Sequence, residues 1–348
     1  MYCSALRNGR CLARVCAAFV LPFALMSSGC GLSLKMVDAS VRKPSNVALY
    51  FHVTDHEGKG VPDLPAEKFS IYEDGKPVLP DMSKQAVLAD QAAAAKYALL
   101  LLDMSGAIAS SSRRSELVAA AAAFADRISR TQEVAICAFD GSATIRPLML
   151  YAAGGGVAKG DLDALRTFQT SDPSDNLNGA VVEGIDALTK QMERSGQPLR
   201  LGTLVVFTDG TDHAQRVTRQ RVLEVLDRAH EQISVLAVGV GPLVDAEELH
   251  ALAKEGAVIE KRSSDLARAF AEITQRVDDL ARSYYLFSYC SPARASTHEL
   301  RIDVDVKHRG AGSLQYHFEA DRFQPGCDPN QPPQFKVHHT GFAAAGRR

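Results

Sequence analysis

The sequence predicts an α/β fold with a mostly parallel central sheet, flanked by smaller all-β structure. Two short apolar runs support this prediction, at residues 97–103 and 204–209, and each ends in an aspartate just before a glycine turn. A continuous apolar run of this length is typical of a strand buried on both faces, and it is too short to span a membrane. Strand-like and helix-like segments alternate around these runs, which indicates crossover connections within one parallel sheet.

The elements of this central domain, predicted for residues 95–283, follow from apolar periodicity. We expect them in this order: strand 97–102, helix 113–129, an antiparallel edge pair 134–139 and 144–150, a short helix from 161, helix 177–193, strand 203–207, helix 216–231, strand 233–240, helix 245–254, strand 257–260 and helix 264–283. The alanines at 92–95 are interpreted as a linker before the first strand.

The flanking segments have strand patterns of their own. Residues 36–90 predict a small sandwich-like β-domain that is similar to an immunoglobulin-like module, with turns at Gly58 and Gly75. Residues 284–323 contain further alternating strands, which we expect to complete that domain. Residues 324–348 are rich in Pro and Gly and predict a flexible tail.

Polar side chains follow the two buried strands at the point where each strand ends. Asp103 and Ser105 follow the first strand, and Asp209 follows the later one. The carboxyl ends of parallel strands share one edge of the sheet, where ligands bind in open α/β folds. Carboxylate and hydroxyl oxygens are the ligands of hard cations, so the pattern predicts a Mg²⁺ or Ca²⁺ site.

These residues carry a resemblance to a known family. The segment Asp103-Met-Ser105-Gly-Ala107 resembles the first metal motif of von Willebrand factor type A (vWA) domains, and Thr208-Asp209-Gly210 resembles the third. The resemblance covers about residues 95–280 by motif and by element order. It implies a Rossmann-like fold and a divalent-cation-dependent adhesion or protein-binding module, not an enzyme. A partner's acidic side chain would complete the metal's coordination.

The sequence departs from the family's metal motif at two positions. Ala107 replaces a serine that would ligate the metal directly, and Asp175 stands where the second motif has a threonine. The ligands that the resemblance implies are therefore Asp103, Ser105, Asp175 and Asp209, with Mg²⁺ favoured over Ca²⁺ because the protein ligands are few. Either Asp175 compensates as a stronger ligand, or the site is degenerate and Asp175 caps the following helix.

The N-terminus has the layout of a secretory signal, predicted for residues 1–29. Arg7, Arg10 and Arg14 precede an apolar stretch, and small residues lead into Cys30. This junction resembles a bacterial lipoprotein box. It implies lipidation of Cys30 and an extracytoplasmic protein of the cell envelope (periplasm or outer membrane), held to the membrane by lipid alone; ordinary signal cleavage is the alternative.

The remaining cysteines are consistent with an exported protein. Cys137 alternates into a predicted strand as a small buried thiol. Cys290 and Cys327 lie outside the central domain and are candidates for a disulfide in an oxidising compartment, the alternative being two free thiols. Loss of the signal's three arginines would take the net charge from −2 to −5. That balance disfavours nucleic acid as a partner.

Two other functions compete with a binding module. In a structural envelope protein with an inactive site, Asp103 and Asp209 would be turn residues, and Asp172 and Asp212 would be solvated loop charges rather than alternative ligands. A Mg²⁺-dependent hydrolase is disfavoured, because Ser105 has no evident base. His213 is better interpreted as an exposed loop residue than as that base. The glycines at 154–156 lack the spacing of a phosphate-binding loop.

Overall fold

The computed structural model describes residues 31–89, 93–105, 113–151 and 162–335. In these residues the strands are β1 (Ser33–Arg42), β2 (Asn46–Thr54), β3 (Phe69–Glu73), β4 (Lys76–Val78), β5 (Ala86–Leu88), β6 (Ala94–Asp103), β7 (Glu133–Phe139), β8 (Arg146–Met149), β9 (Leu199–Thr208), β10 (Ile233–Val240), β11 (Ala257–Glu260), β12 (Tyr284–Cys290), β13 (Thr297–Val306) and β14 (Gly310–Glu319). The helices are α1 (Pro80–Ser83), α2 (Arg113–Ile128), α3 (Asp163–Arg166), α4 (Leu177–Glu193), α5 (Arg219–Ala229), α6 (Ala246–Leu252) and α7 (Leu266–Arg282).

The central sheet has six strands in the order β11-β10-β9-β6-β7-β8. All neighbours are parallel except β7 and β8, which form the antiparallel edge pair that the sequence predicts. Successive side chains of β6 face opposite sides, so Leu100 and Leu102 enter one core while Leu99 and Leu101 enter the other. The predicted fold class, a mostly parallel sheet flanked by helices and additional β-structure, is confirmed.

Helices cover both faces of this sheet because each presents an apolar stripe. On one face α2 and α7 pack through residues such as Phe124 and Phe270. On the other face α4, α5 and α6 pack through residues such as Leu188 and Leu226. The apolar positions of these helices recur every three or four residues, as expected for helices half buried on a sheet. The carboxyl edge of the sheet is left for the loops.

Two four-stranded sheets, ordered β1-β2-β12-β5 and β14-β13-β3-β4, share a separate core. Strands from both sides of the central domain pair in them, since β12 is antiparallel to β2 and β13 is antiparallel to β3. This β-sandwich also contacts the amino ends of β6 and β9, where Tyr50 and Leu286 lie in one cluster with Ala94 and Leu199. The sandwich therefore lies at the end of the central sheet opposite the loops after Asp103 and Thr208.

A disulfide joins Cys290, at the end of β12, to Cys327, which lies 37 residues further along the chain. In the chain-entropy model a closed loop of this size adds about 3 to 4 kcal/mol to the free energy of unfolding. Cys137 is a buried free thiol, as predicted, and burial raises its pKa to about 12. In the described ranges, no helix combines the length and the apolarity needed to cross a bilayer. The predicted signal segment, Cys30 and residues 336–348 lie outside them.

Candidate metal centre

The turn after β6 folds its polar side chains back into the protein. Asp103, the last residue of the strand, is completely buried, and its Oδ1 accepts a hydrogen bond of 2.9 Å from the backbone N–H of Ser105. The hydroxyl of Ser105 also acts to lower the pKa of this carboxyl, and Ser105 is itself buried. The two residues predicted from the first motif therefore lie together at the carboxyl edge of the sheet.

Thr208 joins this turn to the loop before α4. It is the last residue of β9, the strand next to β6, and its Oγ1 lies 2.8 Å from Asp103 Oδ2 and 3.3 Å from Asp175 Oδ2. Thr208 belongs to the segment that resembles the third motif, but that resemblance alone gave it no role at the site. The signal was its position directly before Asp209, at the end of a strand adjacent to β6.

Asp175 is only 4% exposed and does not act as a helix cap. The helix α4 begins at Leu177, so Asn176 is its N-cap residue, and Asn176 makes no side-chain cap bond. The capping interpretation of Asp175 is therefore wrong. Its carboxylate faces Thr208, and its Oδ1 is buried with no hydrogen-bond partner in the described part of the chain.

Asp209 has a different partner. Its Oδ2 lies 3.2 Å from Nη2 of Arg113, the first residue of α2. Both groups are largely buried, with the Asp209 side chain 8% and the Arg113 side chain 22% exposed. Arg113 does not stand out in the sequence, because one arginine at the start of a helix carries no local signal of a contact 96 residues away.

The three carboxylates of Asp103, Asp175 and Asp209, called here the carboxylate cluster, are held at an electrostatic cost. Burial raises the pKa of Asp103, and the charge of Asp209 raises it further, against hydrogen bonds from Ser105 and Thr208. Burial also raises the pKa of Asp175, with a further contribution from Asp103. Burial raises the pKa of Asp209 as well, although Arg113 opposes this. Of these three carboxylates, Asp209 is the one that pairs with a guanidinium, that of Arg113.

The oxygen atoms of the carboxylate cluster and of the neighbouring hydroxyls fit a hard divalent cation. All of them are carboxylate or hydroxyl oxygens, the set that Mg²⁺ and Ca²⁺ prefer, and the buried Oδ1 of Asp175 is without a partner among the described residues. Among the described residues, however, no three His, Cys, Asp or Glu side chains are placed so that together they could hold a metal ion. Asp209, which would complete such a group, is paired with Arg113.

The neighbouring acidic residues that the sequence left open have partners of their own. Asp212 is buried and accepts a 2.8 Å hydrogen bond from Asn178 Nδ2, and its charge contributes to the raised pKa of Asp175. Asp172 is partly exposed and pairs with Arg216 at 2.9 Å. His213 is exposed, as expected. Ala107 and the glycines at 154–156 lie outside the described residues.

Comparison with known proteins gives one family and a set of distant structures. The sequence model of the von Willebrand factor type A domain matches residues 99–276, just over half of the chain. No curated protein matches the chain.

Three solved structures illustrate the structural likeness. A von Willebrand factor type A protein from Catenulispora acidiphila is 11% identical, with 82% of this chain and 73% of that chain covered and a TM-score of 0.43. The manganese-loaded TRAP protein of Plasmodium vivax is 12% identical, with 70% and 99% covered and a TM-score of 0.44. Proximal thread matrix protein 1 from the mussel byssus, with a zinc-occupied metal motif, is 17% identical, with 60% and 49% covered and a TM-score of 0.41. This chain thus spans about half of the mussel protein, and values this low support no conclusion about function.

Proposed function

Because the chain belongs to the von Willebrand factor type A domain family, we propose that it is a non-enzymatic protein-binding or adhesion module of the bacterial cell envelope. One observation supports this proposal most. Three strongly buried carboxylates, from segments that are far apart in sequence, lie at the carboxyl edge of the sheet: Asp103 and Asp175 around Thr208, and Asp209 paired with Arg113. Buried charge without full compensation is typical of a binding site rather than of a structural ion pair.

The residues that would hold a divalent cation here are Asp103, Ser105, Asp175 and Asp209. Mg²⁺ is the expected ion, since the protein ligands are few and Mg²⁺ keeps several of its waters. The bound cation would supply positive charge and one coordination position for an acidic side chain of a partner protein. Asp175, standing where a neutral hydroxyl is usual, makes the site more anionic. It therefore strengthens cation binding and weakens the attraction of the bound cation for the partner's carboxylate.

The geometry favours binding over catalysis. The hydroxyl of Ser105 interacts with the carboxylate of Asp103, and His213 is exposed on its loop. Neither arrangement forms the nucleophile–base pair that a serine hydrolase needs. We expect no turnover of a phosphate or ester substrate above the level of a Ser105→Ala variant.

The proposed location follows from the ends of the chain. Residues 1–29 are the proposed signal and Cys30 the proposed lipidation site, so that lipid alone would hold the protein to the membrane. The bond between Cys290 and Cys327 supports an oxidising, extracytoplasmic compartment. Metabolic labelling with a radioactive fatty acid tests the anchor, and Cys30→Ser should abolish incorporation.

A thermal melt of the full chain tests the cation site. We compare EDTA with millimolar Mg²⁺, Mn²⁺ or Ca²⁺, for wild type, Asp175→Ala and Asp209→Ala. A cation at 100 times its Kd adds about 2.7 kcal/mol to the free energy of unfolding, which raises the Tm by several degrees. We expect both variants to lose this rise, whereas Asp186→Ala, at an exposed ion pair with Lys190, should keep it. A wild type without any rise would instead favour a structural protein that functions without a cation.

A further inference from the structure

The guanidinium of Arg113 occupies a position that ordinary surface ion pairs do not. Its Nη2 lies 3.2 Å from Asp209 Oδ2, and its Nη1 is buried with no hydrogen-bond partner in the described ranges. A buried guanidinium nitrogen without a partner is costly. Its position is therefore explained better by the charge of Asp209 than by a full set of hydrogen bonds.

The charges at the site balance only when Arg113 is included. Asp103, Asp175 and Asp209 carry three negative charges when ionised, whereas Arg113 carries one positive charge. A divalent cation together with Arg113 would make the total zero. Without Arg113 the loaded site would keep one excess negative charge, which is the charge that Asp175 adds where a hydroxyl is usual.

We propose that Arg113 is the residue that sets the cation affinity of this site, as a built-in competitor whose charge offsets that of Asp175. Arg113 stabilises the cation-free state by pairing with Asp209, and its charge repels an incoming cation. Asp175 acts in the opposite direction, so the two residues form a compensating pair. This inference rests on the proposed cation site and concerns how tightly that site binds.

Mn²⁺ binding to the full chain, measured by calorimetry, tests the inference. Arg113→Gln should bind Mn²⁺ roughly tenfold more tightly than wild type or better, since a like charge is removed from a poorly solvated site. Arg113→Lys, which keeps the charge, should stay within roughly threefold of wild type. Arg114→Gln is the matched control, because it removes the adjacent charge, whose Nη1 bonds to the backbone oxygen of Arg166 instead.

A rescue experiment separates competition from a merely structural role. Asp175→Thr should weaken Mn²⁺ binding sharply while Arg113 is present, and the double variant Asp175→Thr with Arg113→Gln should recover most of the lost affinity. In EDTA, Arg113→Gln should melt below wild type, because Asp209 loses its partner, and in saturating Mn²⁺ the order should reverse.

Failure of the role proposed for Arg113 gives a different result from failure of the proposed cation site. Equal Kd values for wild type and Arg113→Gln, or weaker binding by the variant, would overturn the role of Arg113 and leave the cation site intact. A double variant that fails to recover affinity would also overturn the compensation between Arg113 and Asp175. If neither wild type nor Arg113→Gln binds Mn²⁺, both this inference and the proposed cation site are wrong.

Discussion

Two buried aspartates at the same edge of the central sheet differ in how their charge is satisfied. Asp140 directly follows β7 and is 1% exposed, and its carboxylate accepts 2.8 Å hydrogen bonds from the backbone N–H groups of Ser142 and Ser171 and from Arg146 Nη2. Asp175 is similarly buried but faces one hydroxyl at 3.3 Å, and one of its oxygens has no partner among the described residues.

The pKa values of the two carboxyls shift in opposite directions for this reason. Burial acts to raise the pKa of Asp140, but hydrogen bonds from Ser142 and Ser171 and the charge of Arg146 outweigh it, and the net shift is downward. For Asp175 burial and the charge of Asp103 act together, and the pKa rises. Burial alone therefore does not distinguish the proposed cation site from the rest of this edge, whereas burial without compensating donors does.

The largest expected effect comes from breaking the satisfied aspartate. Asp140→Ala removes three hydrogen bonds and leaves Arg146 without its partner, so we expect the free energy of unfolding to fall by about 3 kcal/mol. Urea denaturation in EDTA measures this loss. Asp186→Ala, at an exposed pair, should change it by less than about 0.5 kcal/mol. A loss equally small for Asp140→Ala would mean that the two aspartates do not differ in the way described.

Replacing Asp175 should change the free energy of unfolding in the opposite direction. Asp175→Asn keeps the shape of the side chain and removes a buried acid whose raised pKa disfavours folding at neutral pH, so we expect it to stabilise the chain in EDTA by about 1–2 kcal/mol. The same variant should lose most of the stabilisation that Mg²⁺ or Mn²⁺ gives wild type. Urea denaturation with and without the cation measures both effects, and a variant less stable than wild type in EDTA would contradict the comparison.

Acid should remove the contribution of Asp140 to the free energy of unfolding. Because the folded-state pKa of Asp140 is lowered, its contribution to stability is present above the unfolded pKa of about 3.9 and is lost as the pH falls through the folded value. Asp140→Asn lacks this titration. The difference in free energy of unfolding between wild type and Asp140→Asn should therefore narrow as the pH falls below about 4. A constant difference from neutral to acidic pH would exclude this contribution.

The smallest expected effect is at Asp172, which is at the same edge but partly exposed. Its pair with Arg216 is solvated on both sides, so Asp172→Asn should leave the Tm within about 1–2 °C of wild type. The cation-dependent rise in Tm should also be unchanged, because Asp172 lies outside the carboxylate cluster. Loss of that rise would show that Asp172 acts as an alternative ligand.

Much of the central domain could be predicted because burial on two faces leaves a strong local pattern. The helix predicted at 177–193 is α4 with the same bounds, and β6 ends at the predicted aspartate. β1 was not predicted, since its alternation of apolar and charged residues follows directly after the predicted signal. The alanine segment interpreted as a linker is in part strand, because Ala94 and Ala95 pair with β9.

Only the residues of the site that belong to short sequence motifs could be predicted. Asp103 and Asp209 could be predicted because each follows an apolar strand. The structure places Asp103, Ser105 and Asp175 in one buried group around Thr208. The role of Thr208 and the contact of Arg113 depend on which strands and helices become neighbours. Such distant pairings leave no trace in local sequence, so the partner of Asp209 could not be predicted.

The position of the β-sandwich determines how far the site would stand from a membrane. The sandwich contacts the amino ends of β6 and β9, and the ten residues of β6 place the carboxylate cluster about 30 Å away. β1 begins at Ser33, so a lipid on Cys30 would leave a tether of about 10 Å at most. A lipid on Cys30 would therefore hold the start of β1 within about 10 Å of the bilayer. The cation site would lie at the other end of β6, about 30 Å from the end that contacts the sandwich.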